Sequence, residues 1–328
     1  MNVTDNQALP IPLPPPPARF PPSPVAPGIF LVDLGFQGTA GTIGAYLLVG
    51  NDELALIETG PSTTRANLEL GIHEAGFDLR DVSRLIPTHI HLDHAGAGGG
   101  LMGDYPNMRI TLHPGGAPFL IDPERLVKSA SRIYGDRMDE LWGEVAALPA
   151  DRVDTVEDGE RLQFAGHSLL VRYTPGHAGT HISLLDEASG TLFTGDAAGA
   201  RIAPSAYVCP TVPPPEIDLD VWRGSIAILR ELGASQLALT HFGVFTDVDR
   251  HLDDLIPNAG AVLAIAREEL VAGNDLDDVT TRILDLERDL FTEEADPVVL
   301  MRQMELAMPA WMASLGLQRV LKKRGELG

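Results

Sequence analysis

The stretch Leu85-Ile86-Pro87-Thr88-His89-Ile90-His91-Leu92-Asp93-His94-Ala95-Gly96-Ala97-Gly98-Gly99 decides how this chain is read. Three histidines and one aspartate, His89, His91, Asp93 and His94, fall within six positions. An apolar lead-in ending in Leu85 and Ile86 comes before them, and small residues follow. The pattern predicts a strand delivering a ligand-rich loop, then a glycine-rich turn into a helix. Imidazole and carboxylate are the usual ligands of zinc, iron or manganese. Burying four such groups unpaired would be costly, so a metal site is the expectation.

Three further strand ends carry candidate ligands. Ser168–Tyr173 leads to Thr174-Pro175-Gly176-His177, Thr191–Thr194 to Gly195-Asp196, and Leu237–Leu239 to Thr240-His241-Phe242-Gly243. Each follows a β-prone run and precedes small or turn-forming residues. Strand ends along one sheet edge converge in space, so residues far apart in sequence can meet there.

Around these points, residues 1–27 hold ten prolines and read as an arm excluded from helices and central strands, a spacer or an extended surface strap. From Gly28, the runs Ile29–Leu34, Ile43–Val49 and Leu54–Glu58 read as successive strands, and Thr63–Ala75 as a helix. Residues 117–148 read as two helices divided at Gly135-Asp136, and a helix is expected at about Leu219–Leu232. Residues 248–328 read as helices with breaks near Gly273-Asn274 and Asp296-Pro297. Met301, Met304, Met308, Trp311 and Leu315 fall on one face of an expected long last helix, a core-facing stripe that could also roof a pocket or form a homodimer seam.

Bulk properties narrow the function classes. The chain has 328 residues and 44% apolar content, enough for a sizeable core. Lys+Arg is 24 and Asp+Glu is 46, so the formal charge is 24 − 46 = −22. Such a chain repels phosphate backbones, and nucleic acid is not an expected partner. The single cysteine, Cys209, excludes a disulfide framework and reads as a buried thiol. No stretch is long and apolar enough to span a bilayer, and the N-terminus lacks a basic segment followed by an apolar run. A cytoplasmic protein with no membrane partner is the expectation.

The run His89-Ile90-His91-Leu92-Asp93-His94 resembles the H-x-H-x-D-H signature of the metallo-β-lactamase superfamily. Thr-Pro-Gly-His at His177, Thr-Gly-Asp at Asp196 and Thr-His-Phe-Gly at His241 follow in that family's order, and the likeness covers about Gly28 to Thr246. It implies an α/β fold, an αββα sandwich with the metal site at one edge. The organisation expected is an arm (1–27), a catalytic domain (28–247) and a helical C-terminal extension (248–328). The resemblance also implies that His89, His91 and His177 hold one metal ion, that Asp93, His94 and His241 hold a second, and that Asp196 bridges them. The cofactors expected are two divalent ions, zinc first, with iron or manganese as alternatives. Asp93 and Asp196 are then the catalytic carboxylates. The function implied is a binuclear hydrolase in which a metal-bridging hydroxide, available because metal binding lowers the pKa of water to about 7, attacks the carbonyl of a small ester, lactone or thioester.

Two positions depart from the family's common pattern. Glu58, in Leu-Ile-Glu-Thr-Gly, stands where Asp is usual and reads as a group orienting a ligand from behind, as does His181. Asp196 stands where two-zinc β-lactamases commonly carry cysteine, which turns the likeness toward the glyoxalase II and lactonase branches. Tyr134, Trp142, Tyr207, Phe242 and His113 are the candidate substrate contacts. Arg132, Arg137 and Arg201 are the only candidates for a cationic substrate subsite, and the expected partner is a neutral, apolar acyl compound. His73 and His251 read as surface residues. The competing reading is an iron-dependent oxidoreductase on the same fold, similar to a persulfide dioxygenase, which would need only the first three-histidine site.

Overall fold

The computed structural model describes residues 20–327, so most of the proline-rich arm lies outside the described residues. The first sheet holds seven strands in chain order: β1 (Ser23–Ala26), β2 (Ile29–Asp33), β3 (Gly44–Gly50), β4 (Glu53–Ile57), β5 (Val82–Ile86), β6 (Arg109–Leu112) and β7 (Val153–Thr155). Strands β1 to β4 pair antiparallel, and β4 to β7 pair parallel. The parallel pairs need crossovers, and helices supply them. Helix α1 (Arg65–Glu74) joins β4 to β5. Helices α2 (Leu92–Ala95) and α3 (Gly98–Asp104) join β5 to β6. Helices α4 (Ala117–Ile121), α5 (Glu124–Tyr134) and α6 (Met138–Leu141) join β6 to β7.

The second sheet has six strands, β8 (Arg161–Phe164), β9 (His167–Tyr173), β10 (Ile182–Asp186), β11 (Thr191–Gly195), β12 (Gln236–Leu239) and β13 (Gly243–Phe245), in the order β13-β12-β11-β10-β9-β8. Helix α7 (Leu219–Glu231) makes the parallel crossover from β11 to β12.

Strand alternation builds the layers. In β4, Leu54 and Leu56 face α1, where Leu68 and Ile72 meet them, while Ala55 and Ile57 face the other sheet. In the second sheet, Leu184 and Phe193 point to the first sheet, and Leu185 and Leu192 point to α7. Both faces are therefore covered. All five residues of β10 and of β11 are buried, as expected of central strands covered on both faces. The architecture is αββα, as the resemblance implies.

Helices α8 (Val248–Ala272), α9 (Leu276–Phe291), α10 (Pro297–Ala307) and α11 (Ala310–Lys323) complete the chain. Helices α8, α9 and α11 share one apolar core with α7 and the outer face of the second sheet, through Leu252, Leu255, Val279, Ile283 and Leu317, while α10 packs in a smaller cluster through Leu300 and Met304 beside Ile202 and Phe291.

Several expectations change. Ser23–Ala26, at the end of the arm, pairs with β2 as an edge strand instead of lying as a strap; an edge accepts Pro24 because one side of the strand needs no donor. The run 117–148 yields one helix of eleven residues and two short ones. The long methionine-bearing last helix is two helices, broken at Met308-Pro309, since proline disfavours helical backbone at the residue before it. His251 is fully buried rather than on the surface, its Nε2–H donating to the Ala198 carbonyl at 2.8 Å. Strand β13 was not expected, because three residues are too short for a periodic signal.

Gly316 carries a close contact between α11 and the loop before α7. A Cβ there would lie 1.9 Å from the carbonyl oxygen of Val212. Gly316→Ala is expected to lower stability by about 1–3 kcal/mol, as overpacking does, in a denaturant titration. An unchanged midpoint would mean that α11 does not pack against this loop.

Candidate metal centre

Strands β9, β11 and β12 run in one direction, so their C-terminal ends lie along the same sheet edge. His177, Asp196 and His241 follow those ends, and His89 follows β5 of the other sheet. A hydrogen bond from Ile182 N to Thr88 O, 2.8 Å, stitches the sheets together at this point. Helix α2 then presents Asp93 and His94 from its first turn.

All seven expected ligands come together. His89 Nε2 is 2.9 Å and His177 Nε2 3.0 Å from His91 Nδ1. On the other side, His241 Nε2 is 3.3 Å and His94 Nε2 3.7 Å from Asp93 Oδ2. Asp196 stands between them. Its Oδ2 is 3.3 Å from His177 Nε2, and its Oδ1 is 3.3 Å from His94 Nε2 and 3.5 Å from His241 Nε2. The ligand atoms of His89, His91 and His177 lie within 4.8 Å of one another, as do those of Asp93, His94 and His241.

The groups behind the histidines decide which nitrogen faces the centre. His94 Nδ1 is 2.9 Å from Glu58 Oε1, His177 Nδ1 2.9 Å from the Thr211 carbonyl, and His241 Nδ1 2.8 Å from the Thr42 carbonyl. These acceptors require a proton on Nδ1 and leave Nε2 with a free lone pair. His89 Nδ1 is 3.1 Å from Thr88 Oγ1, whose own hydrogen goes to Glu58 Oε1 at 2.6 Å, so His89 is in the same tautomer. His89 Nε2 and His177 Nε2 both converge on His91 Nδ1, which carries at most one proton and can satisfy only one of them. His94 Nε2, His241 Nε2 and Asp196 Oδ1 are buried without a hydrogen-bond partner. Buried polar atoms are normally paired, so this donor set fits metal ions: nitrogen and carboxylate ligands aimed at two common points.

Electrostatics of the three-histidine triad agree. Burial, reinforced by the neighbouring histidines, pushes the pKa of His89 well below its ordinary value, and burial with His177 lowers that of His91 to about 3. Burial also lowers His177. These rings are neutral, as ligation requires. Burial opposes ionisation of Asp196, but His94, His177 and His241 outweigh it and hold its pKa well below the usual carboxylate range. The second triad differs: burial opposes charge on His94 and His241, but Asp196 and Asp93, with Glu58 beside His94, overcome it and raise both, so metal binding at these two Nε2 atoms requires loss of a proton.

Glu58 is the hub behind the site. It is fully buried with φ +64°, a conformation costing about 1–3 kcal/mol in a non-glycine residue. Its carboxylate accepts from Thr88 N (3.0 Å), Thr88 Oγ1 (2.6 Å) and Thr240 Oγ1 (3.1 Å), besides the His94 ring. His181 Nε2 accepts the Asp196 backbone N–H at 3.1 Å, and Thr174 lies on its other nitrogen at 2.9 Å. Gly195 makes this approach feasible: with φ +49°, its absent Cβ would fall 2.3 Å from Thr88 Oγ1.

The expected substrate contacts separate. Tyr134 and Trp142 form one wall with rings 5.0 Å apart, and Asp93 contributes to the raised pKa of Tyr134 after burial does. Phe242 packs beside Gly41 and Gly44, next to the segment holding His241. Tyr207 lies elsewhere, beside Phe291 and in a small cavity with Cys209 and Glu287. His113 stacks on Tyr173 at 4.2 Å, its Nδ1 accepting from Gly115 N. Cys209 is buried 3.8 Å from Glu287 Oε1 and belongs to neither ligand cluster. Sequence reasoning missed Thr42 and Thr211, whose carbonyls orient ligands; backbone acceptors leave no side-chain signal. Among the described residues, no helix is long and apolar enough to cross a membrane.

Comparison with known proteins gives a consistent result. The pattern of the metallo-beta-lactamase superfamily matches residues 38–243. A metallo-beta-lactamase fold-containing protein of Sulfurisphaera tokodaii is 28% identical over 73% of this chain and 85% of its own length. A hydroxyacylglutathione hydrolase of Synechococcus is 28% identical, over 46% of this chain and 47% of that protein. Among solved structures, a metallo-beta-lactamase family protein from Thermus thermophilus superposes with a TM-score of 0.68 at 26% identity, covering 92% of this chain and 95% of that one. With its four ligand-bearing strand ends inside the matched region, this chain belongs to the metallo-β-lactamase superfamily.

Proposed function

We propose that the protein is a two-metal hydrolase of small esters, lactones or thioesters. The observation that carries this reading is Asp196, one carboxylate with an oxygen turned to each ligand triad. His89, His91 and His177 would hold one ion, and Asp93, His94 and His241 the other. When bound, such ions supply Lewis acidity and a water acidified toward neutral pH. The remaining work belongs to the chain. Glu58, Thr42, Thr88 and Thr211 hold the imidazoles in one tautomer and one orientation. Burial of five of the seven residues keeps bulk water from the rear, whereas the Asp93 side chain is 17% exposed and His91 is half-buried. Substrate therefore approaches over His91 and Asp93.

Two features bear on the substrate. Arg201 is paired with Asp247 and Arg137 with Glu140 at the surface, which leaves Arg132 as the remaining candidate for a cationic subsite. Relatives named hydroxyacylglutathione hydrolase and probable metallo-hydrolase are consistent with hydrolysis as the reaction class. An iron-dependent oxidation would need only the three-histidine triad, and the completeness of the second triad speaks for hydrolysis.

Metal analysis of purified protein is expected to give about two divalent ions per chain. His91→Ala and Asp196→Ala are each expected to abolish hydrolysis of aryl esters, lactones and thioesters while circular dichroism stays unchanged; full activity in both would end this proposal. One iron per chain with sulfur-dependent oxygen uptake would replace it with the oxidative reading. Glu58→Ala is expected to weaken metal affinity 10–100-fold, the usual effect of losing an orienting group, in a competitive chelator titration. Wild-type affinity in that variant would show that Thr88 and Thr240 orient the ligands without it.

A further inference from the structure

A cavity of about 20 Å³ lies between the loop after β11 and helices α8, α9 and α11. That is room for one water-sized group. Val262 and Ile283 belong to its apolar walls, and no basic residue lines it. Three polar side chains do: Tyr207, Cys209 and Glu287. Glu287 is 1% exposed, and its Oε2 has no hydrogen-bond partner. The Tyr207 hydroxyl is also buried without one. Buried polar atoms are normally paired, so this pocket lacks a group that both oxygens could bind.

The spacing and chemistry of the three side chains are those of metal ligands. Cys209 Sγ lies 3.8 Å from Glu287 Oε1. A tetrahedral ion with a thiolate at about 2.3 Å and a carboxylate oxygen at about 2.0–2.2 Å sets those two atoms roughly 3.6 Å apart. The Tyr207 hydroxyl is near enough that Cys209 and Glu287 add to burial in raising its pKa. Burial, then Glu287 and Glu305, raise the Cys209 thiol well above its ordinary value. Burial, then Glu305 of α10, raise Glu287 to about 8, and burial raises Glu305 itself to about 7. In metal-free protein the Cys209 thiol and the Glu287 carboxyl therefore keep their protons near neutral pH. Losing both gives two negative charges, which one divalent ion balances, so the buried site then carries no net charge. Glu305, which accepts from Ala310 N at 2.9 Å, adds a field that favours a cation.

We propose that Cys209, Glu287 and Tyr207 form a further metal site, apart from the two triads, for one thiophilic divalent ion of the zinc or cadmium class. Thiolate and carboxylate are the charged ligands and the Tyr207 hydroxyl is a neutral third donor, a set that suits a borderline-soft ion. Binding breaks the S–H bond of Cys209 and the O–H bond of Glu287, forms metal–sulfur and metal–oxygen bonds, and sends two protons to solvent. That proton release weakens the site near neutral pH, so this ion joins the two at the centre only when metal is in excess. The site lies behind the loop that orients the centre. Pro210 and Val212, on either side of Thr211, line the cavity, and Thr211 holds His177 through its carbonyl and Asp196 through its hydroxyl.

The test uses the full chain, loaded with zinc and freed of excess, with Cys209 kept reduced and cadmium chloride as the probe. Cys209 is the only cysteine, so ultraviolet absorption by a cadmium–thiolate bond reports this site alone. Wild-type protein is expected to give a signal that saturates at one ion per chain, with about two protons released per ion near neutral pH. Cys209→Ser is expected to remove the signal. Glu287→Gln, which keeps the shape of the side chain, is expected to release about one proton and to bind at least tenfold more weakly, since losing even an orienting partner costs about 10–100-fold. Tyr207→Phe is expected to weaken binding and still release about two protons. The absence of a cadmium–thiolate signal in wild-type protein whose thiol titrates as reduced overturns the proposal. So does a Glu287→Gln variant with wild-type affinity and proton count, which would reduce the site to a lone thiol.

Discussion

The carboxylate of Glu58 ties the two halves of the molecule together at their working edge. It stands at the end of β4 and accepts from Thr88 after β5, from Thr240 after β12 and from the His94 ring on α2. One buried acceptor therefore sets the relative position of both sheets and the tautomer of a ligand. The energetic logic is asymmetric. A charge so deeply buried is costly, and only its hydrogen bonds make it tolerable. Any shift that loosened them would be resisted by the whole interior.

Around that hub, the centre is organised by what its atoms lack. Each of these imidazoles except His91 spends its outer nitrogen on an oxygen behind it, which turns the inner one to the centre, and those of His94 and His241 have no partner there. Asp196 is held through its backbone, with His181 accepting its N–H and Thr211 donating to its carbonyl, so its side chain is free to face both triads. The Glu58 carboxylate reaches three segments at once.

The C-terminal helices are not an appended module. Helix α11 lies on the Val212 backbone, next to Thr211, which orients His177. Helix α10 grips the segment that orients His241. Helices that supply no candidate ligand thus act on both triads through one to three residues of backbone, and their packing and the geometry of the centre depend on each other.

The ligands were legible because each is marked locally: a β-prone run, a turn residue, then His or Asp. His89, His91, His177 and the rest needed no knowledge of partners. The αββα layering followed from the resemblance that these motifs carry. Other features were not. His251 has the sequence neighbours of a surface residue, yet it is buried because Ala198, 53 residues earlier, offers it a carbonyl. Met301 to Leu315 keeps its helical spacing through a break that Pro309 imposes. Tyr134 and Met312 meet across 178 residues, and Glu58 and Thr240 across 182. The sequence by itself determined which side chains could bind metal and on which strand ends they stand, since those are short-range patterns. Only the tertiary structure decided which atom of each faces the centre and which helices wall it, because those depend on contacts between segments that no local pattern links.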